Sequence, residues 1–123
     1  MGLQAAQSLA RVAGPRGVAH REIRAELRKL VDDADCWFKS DIFPADEAAA
    51  RFHHRLVWIH PFPNGNGRLS RLMGDLLVVA QGRDRFSWGA RSQNEDARRL
   101  YLEAMRAADK GDFEALLVFS RTP

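Results

Sequence analysis

Residues able to handle an anion are concentrated in one stretch, His60-Pro61-Phe62-Pro63-Asn64-Gly65-Asn66-Gly67-Arg68-Leu69-Ser70-Arg71. Gly65 and Gly67 flank Asn66, so the backbone is free to take left-handed angles and turn several N–H groups toward one concave side. That turn feeds a predicted helix N-terminus, where unpaired donors and the helix dipole both favour negative charge. Arg68 and Arg71 are three residues apart in the first turn of this helix and are expected on one face, near the same anion. Their planar guanidinium groups match phosphate oxygens two at a time. His60 stands on the opposite lip, and an imidazole, which ordinarily titrates near about 6.5, suits a general base at neutral pH. Pro61 and Pro63 stiffen that lip, with Phe62 expected to anchor it in the core. A base facing an anchored phosphorus is the least apparatus needed for attack by a hydroxyl.

These residues resemble the motif of the Fic (Fido) family: a histidine and phenylalanine, then Gly-Asn-Gly-Arg, then a second arginine. The likeness extends from about Ile23 to the C-terminus. Phe52–Arg71 and Tyr101–Phe119 are also similar to the subgroup called mobile mystery protein B. The resemblance implies transfer of AMP from ATP to a Ser, Thr or Tyr hydroxyl of a target protein. It implies that His60 takes the hydroxyl proton and that Gly65, Asn66 and Gly67 hold the α- and β-phosphates, with the Asn66 side chain on the α-phosphate. Arg68 would neutralise the leaving phosphates, Arg71 would bind the terminal phosphate, and Phe62 would be structural. It further implies Mg²⁺ or Mn²⁺, and a helix-turn-helix regulator as partner.

The chain departs from the family pattern in two places. Asn64 stands where most active members carry an acidic metal ligand, and a neutral amide oxygen is a weaker donor to a hard cation. Asn64 is therefore both a nucleotide-side residue and a weak metal candidate. The helix and β-hairpin flap that usually precede the segment starting near His20 have no counterpart in residues 1–19, so we expect an N-terminally shortened chain. A Ser/Thr-x-x-x-Glu-Gly/Asn inhibitory segment is also missing from the sequence, so any inhibition would come from a separate partner. The alternative reading is a pseudo-enzyme, weakened or truncated, that binds nucleotide or a partner in a toxin-regulator type pair.

The elements that must position this loop read as helices. Residues 1–19, broken by Gly14-Pro15-Arg16-Gly17, form an irregular arm; residues 20–123 form the domain. Ile23, Leu27, Leu30, Val31, Ala34, Trp37 and Phe38 recur at spacings of three and four, predicting an amphipathic helix over His20–Lys39. A second helix starts near Pro44 or Ala45 and runs through Phe52, Leu56 and Ile59 to His60, where the prolines stop it. The third begins around Gly67 and carries Leu69, Leu72, Met73, Leu76, Leu77 and Val79–Ala80, with Gly82 as its cap. Ser92-Gln93-Asn94-Glu95 has the form of a capping box opening a fourth helix, with Leu100, Tyr101, Ala104, Met105 and Ala108 on one face. After Lys110-Gly111-Asp112 a short last helix holds Leu116, Leu117 and Phe119. The fold class is all-α: a compact bundle of about five helices, with the anion-binding loop between the second and third.

Composition narrows the partners. The 123 residues are 46% hydrophobic and 28% charged, as in folded globular chains. Nineteen Lys and Arg against 16 Asp and Glu leave a net charge of +3, spread along the chain, so nucleic acid is an unlikely partner. The longest apolar run, Leu76–Ala80, is far too short to span a bilayer, and one cysteine, Cys36, cannot form a disulfide within the chain. We expect a cytoplasmic protein. His53 and His54 are expected to be helix-surface or packing residues rather than to join His60 in a metal site, since the spacings place them on different helix faces. Trp37, Trp58 and Trp88 are read as core, Cys36 as a buried small residue, and Arg83, Arg85, Arg98 and Arg99 as solvated charge.

Overall fold

The computed structural model describes residues 18–92 and 95–123. Among them are five α-helices and two short 3-10 turns, with no strand. The helices are α1 (Ile23–Lys39), α2 (Ala45–Ile59), α3 (Asn66–Ala80), α4 (Glu95–Asp109) and α5 (Glu114–Arg121). The all-α bundle read from the sequence is the architecture observed, and the loop expected to bind an anion lies between α2 and α3. Boundaries move slightly. His20–Glu22 is a 3-10 turn ahead of α1, and α3 starts at Asn66 rather than Gly67. Ser92, Gln93 and Asn94 of the capping box, and residues 1–17 of the N-terminal arm, lie outside the residues whose side chains are described. Val18, at the end of that arm, donates its N–H to the Ile59 carbonyl and packs on the core.

The bundle is built around α2. Ten of its 15 residues are buried, a share that only a helix enclosed on several sides reaches. Ala48, Ala49 and Ala50 are fully buried; their small side chains let neighbouring elements approach on successive faces. On one side Phe52, Leu56 and Ile59 meet Leu30 and Ala34 of α1 and Leu69, Met73 and Leu77 of α3. On the other, Ala50 meets Ala104, Met105 and Ala108 of α4 and Leu116 of α5.

α3 shows where apolar periodicity misleads. Leu72, Leu76 and Val79, among the apolar residues that mark this helix in the sequence, are each about half exposed. The face against the bundle instead carries Ser70, Gly74 and Val78, all buried. A Cβ at Gly74 would lie 3.4 Å from the Trp88 ring and 3.8 Å from the Ala49 carbonyl, so small residues mark the close approach. Val31 is likewise exposed on α1. Cys36, read as buried, is exposed; two residues along a helix is roughly 200° of rotation, so the buried Ala34 turns Cys36 to solvent.

One carboxylate ties the start of α2 to the last helix and to the segment after α3. Asp46, in the first turn of α2, accepts two hydrogen bonds from Arg121, at 2.8 and 2.7 Å, and one of 2.8 Å from Arg83. Arg121 also donates to the Asp84 carbonyl and lies over the Phe86 ring. The Arg121 hydrogen bond, helped by Arg83, holds the Asp46 carboxyl below the usual range against the desolvation that would raise it. We expect Asp46→Asn to cost about 1–2 kcal/mol, as loss of a partly exposed, bidentate charged pair does. Urea unfolding at pH 7 measures it. The difference should vanish at low pH: a depressed carboxyl stabilises the fold above its unfolded pKa and stops doing so once protonated.

Candidate active site

The loop from His60 to Asn66 is shaped by backbone conformation first. α2 ends on His60 in the left-handed region, with φ 55° and ψ 61°, its N–H still bonded to the Leu56 carbonyl at 3.1 Å. Gly65 takes φ 80°, a conformation that suits glycine, and hands the chain to α3. No side chain caps α3, so the first-turn N–H groups have no side-chain acceptor at the N-cap. Gly67 does not need a left-handed angle; its function is space. A Cβ there would lie 3.6 Å from Nη1 of Arg71, and one at Gly65 would lie 3.7 Å from Nη2 of Arg68. Both guanidinium groups thus fold back over the glycines of the loop.

Asn66 holds this loop shut. Its side chain is buried, at 6% exposure. Oδ1 accepts the Phe62 N–H at 3.0 Å, Nδ2 donates to the Phe62 carbonyl at 2.5 Å, and Nδ2 also lies 3.3 Å from Nε2 of His60. The expected anchoring by the Phe62 ring is not found, since that side chain is 54% exposed. With both backbone groups of Phe62 turned in toward Asn66, the ring leaves on the other side, and the backbone does the anchoring. The structure therefore brings His60, Gly65, Asn66, Gly67, Arg68 and Arg71 around one loop. Asn64 sits exposed on the same loop. Among the described residues neither Arg68 nor Arg71 is in an ion pair, and no three His, Cys, Asp or Glu side chains converge as a metal cluster.

Beside Arg71 opens a cleft of about 840 Å³, walled by Asp75, Arg85, Trp88, Arg98 and Tyr101 among others. Sequence reasoning puts Tyr101 on the packing face of its helix, Trp88 in the core and Arg98 in solvent, without joining them to Arg71. Beneath the cleft lies His53, fully buried, with Nε2 2.8 Å from the Tyr101 hydroxyl and its ring 4.7 Å from that of Trp88. His54 is equally enclosed and bonds Asp109 at 2.8 Å. Of the two roles read for these histidines, helix surface or packing, the structure shows packing for both.

Burial lowers the His53 pKa from 6.5 to about 4, with Arg71 and His54 acting the same way and the nearby Ser70 backbone opposing. The folded chain thus keeps His53 neutral where the unfolded chain protonates it. Stability should be complete near pH 7 and fall as pH drops from 6.5 towards about 4. At roughly 1.4 kcal/mol per pH unit the loss is about 3 kcal/mol. Denaturant titrations at pH 4.5 and 7 read it, and His53→Phe should flatten the slope between them.

Comparison with known proteins places the loop inside a family match. The sequence profile of the Fic/DOC family matches residues 12–78. Proteins named "Protein adenylyltransferase Fic" are similar in sequence: the one from Aedes aegypti is 30% identical over 97 residues, covering 76% of this chain and 18% of its own length. That from Nematostella vectensis is 32% identical over 97 residues, with 76% and 22% covered. The chain thus spans about a fifth of the length of these curated relatives.

Proposed function

This chain belongs to the Fic/DOC family, and from that premise we propose that it transfers AMP from ATP to a hydroxyl side chain of a target protein. The observation that carries the reading is the closed loop in which Asn66 touches His60 while the Arg68 and Arg71 guanidinium groups lie over Gly65 and Gly67. In the reaction the target hydroxyl oxygen forms a bond to the α-phosphorus. The bond from that phosphorus to the oxygen bridging the β-phosphate breaks, and pyrophosphate leaves with its electron pair. His60 takes the hydroxyl proton on Nε2. Backbone N–H groups of Gly65, Asn66 and Gly67 face the α- and β-phosphates, Arg68 offsets charge on the leaving group, and Arg71 holds the terminal phosphate. The resemblance would place the Asn66 amide on the α-phosphate; with that amide already bonded within the loop, we assign its side chain to aiming His60. Catalysis here is positioning and electrostatics.

The donor set fits a tightly held Mg²⁺ or Mn²⁺ poorly, because Asn64 offers a neutral amide and the loop supplies no carboxylate. No step is assigned to a metal. Asn64→Asp should accordingly raise Mg²⁺-dependent labelling, by about tenfold, as a charged oxygen replaces a neutral one beside the phosphates. Incubating the purified chain with labelled ATP, Mg²⁺ or Mn²⁺ and a cell lysate tests both ideas. Measurable ATP binding with no label, even with Asn64→Asp, would favour the binding-module reading. Placement in the mobile mystery protein B subgroup, a helix-turn-helix regulator as partner and a cytoplasmic location belong to the same proposal; the likeness of Phe52–Arg71 and Tyr101–Phe119 supports the first two.

A further inference from the structure

The geometry points to Tyr101 as a positioning residue for Arg71, anchored by buried His53, an assignment that rests on the adenylyl-transfer reading above. A guanidinium meant for phosphate must be held in place without a carboxylate occupying its donors. Arg71 has a ready competitor, since Asp75 lies one helical turn along α3 at the spacing that favours an ion pair. That pair is not formed. Asp75 Oδ1 instead accepts the Trp88 indole N–H at 2.9 Å. The Arg71 guanidinium carbon lies 5.9 Å from the centre of the Tyr101 ring. An aromatic face attracts a cation through its quadrupole and leaves the five guanidinium N–H donors available.

Tyr101 is itself held on two sides. Its hydroxyl bonds His53 Nε2 at 2.8 Å, and its ring packs 5.6 Å from Phe119. His53 is fully buried and its ring packs at a tilt against Trp88, the same residue that occupies Asp75. One aromatic cluster therefore places Arg71 over the loop and removes the acid that would compete for it. Tyr101 touches neither nucleotide nor target in this scheme; its effect passes through Arg71 to the terminal phosphate.

Two measurements on the full chain test the assignment. In the unmodified protein, NMR should find Arg71 Hδ protons shifted upfield by the ring current, with nuclear Overhauser contacts to the Tyr101 ring; absence of both overturns it. Calorimetric titration with ATP and with ADP supplies the second readout. Tyr101→Met, which retains bulk, should weaken ATP binding about threefold to fivefold and leave ADP within about twofold. Tyr101→Phe, which keeps the ring face but loses the hydrogen bond to His53, should fall between the unmodified chain and Tyr101→Met. Added to Arg71→Ala, the methionine change should cost nothing more, because the two act as one unit. An unchanged ATP-to-ADP ratio in Tyr101→Met, or additive losses in the double variant, overturns the assignment. Should the unmodified chain bind neither nucleotide, the adenylyl-transfer reading falls, while the NMR contacts still decide whether Tyr101 holds Arg71.

Discussion

Alanine at position 60 should cut label transfer from ATP by at least about 100-fold, the usual contribution of a positioned general base, with ATP affinity within about twofold. The geometry specifies why. Asn66 bonds both the N–H and the carbonyl of Phe62, and this fixes which end of its amide is oxygen: the flipped amide would set oxygen against oxygen. Nδ2 therefore faces His60 Nε2, at 3.3 Å. An amide NH₂ only donates, so Nε2 must present its lone pair, which is the form able to accept a proton. The contact is long and can yield to an entering hydroxyl. Because His60 sits at φ 55°, His60→Asn is the companion variant: asparagine tolerates left-handed angles better than alanine and lacks a comparable base. Transfer within about tenfold of normal in both variants, with folding intact by circular dichroism, would remove His60 from the proton transfer.

The loop is legible in the sequence because its determinants are local. Two prolines stop a helix, a glycine turns the chain, and a helix N-terminus with two arginines follows, all within 12 residues. The helices are legible for the same reason, and their boundaries differ by only a few residues. What periodicity does not reach is set by partners far away in the chain. His53 and Tyr101 are 48 residues apart, His54 and Asp109 are 55, and Asp46 and Arg121 are 75. A pattern of apolar spacings has no term for such pairs. It also fails on α3, whose apolar residues occupy more than one face; Ser70 and Gly74, four apart, are the usable signal of the side that meets α2. Phe62 is misplaced because its residue type suggests burial, whereas its backbone, not its ring, is what Asn66 holds.

The second large effect is expected at that clasp. Asn66→Ala deletes three contacts at once: those to the Phe62 N–H, the Phe62 carbonyl and His60 Nε2. Phe62 is exposed, so water can reach its freed backbone groups, and the cost to stability should be modest, about 1–2 kcal/mol. Function should suffer far more. The segment from His60 to Gly65 would no longer be tied to the first turn of α3, and the imidazole would lose its orienting contact. A displacement near 1 Å between base and substrate costs on the order of 100-fold in rate. Asn66→Asp should not rescue it, because a carboxylate can accept the Phe62 N–H but is repelled by the Phe62 carbonyl and by incoming phosphates. Thermal melting and label transfer on the same samples separate the two effects. Transfer within about threefold of normal in Asn66→Ala would mean that the loop holds its shape through the prolines and Gly65 alone, and that Asn66 does not aim His60.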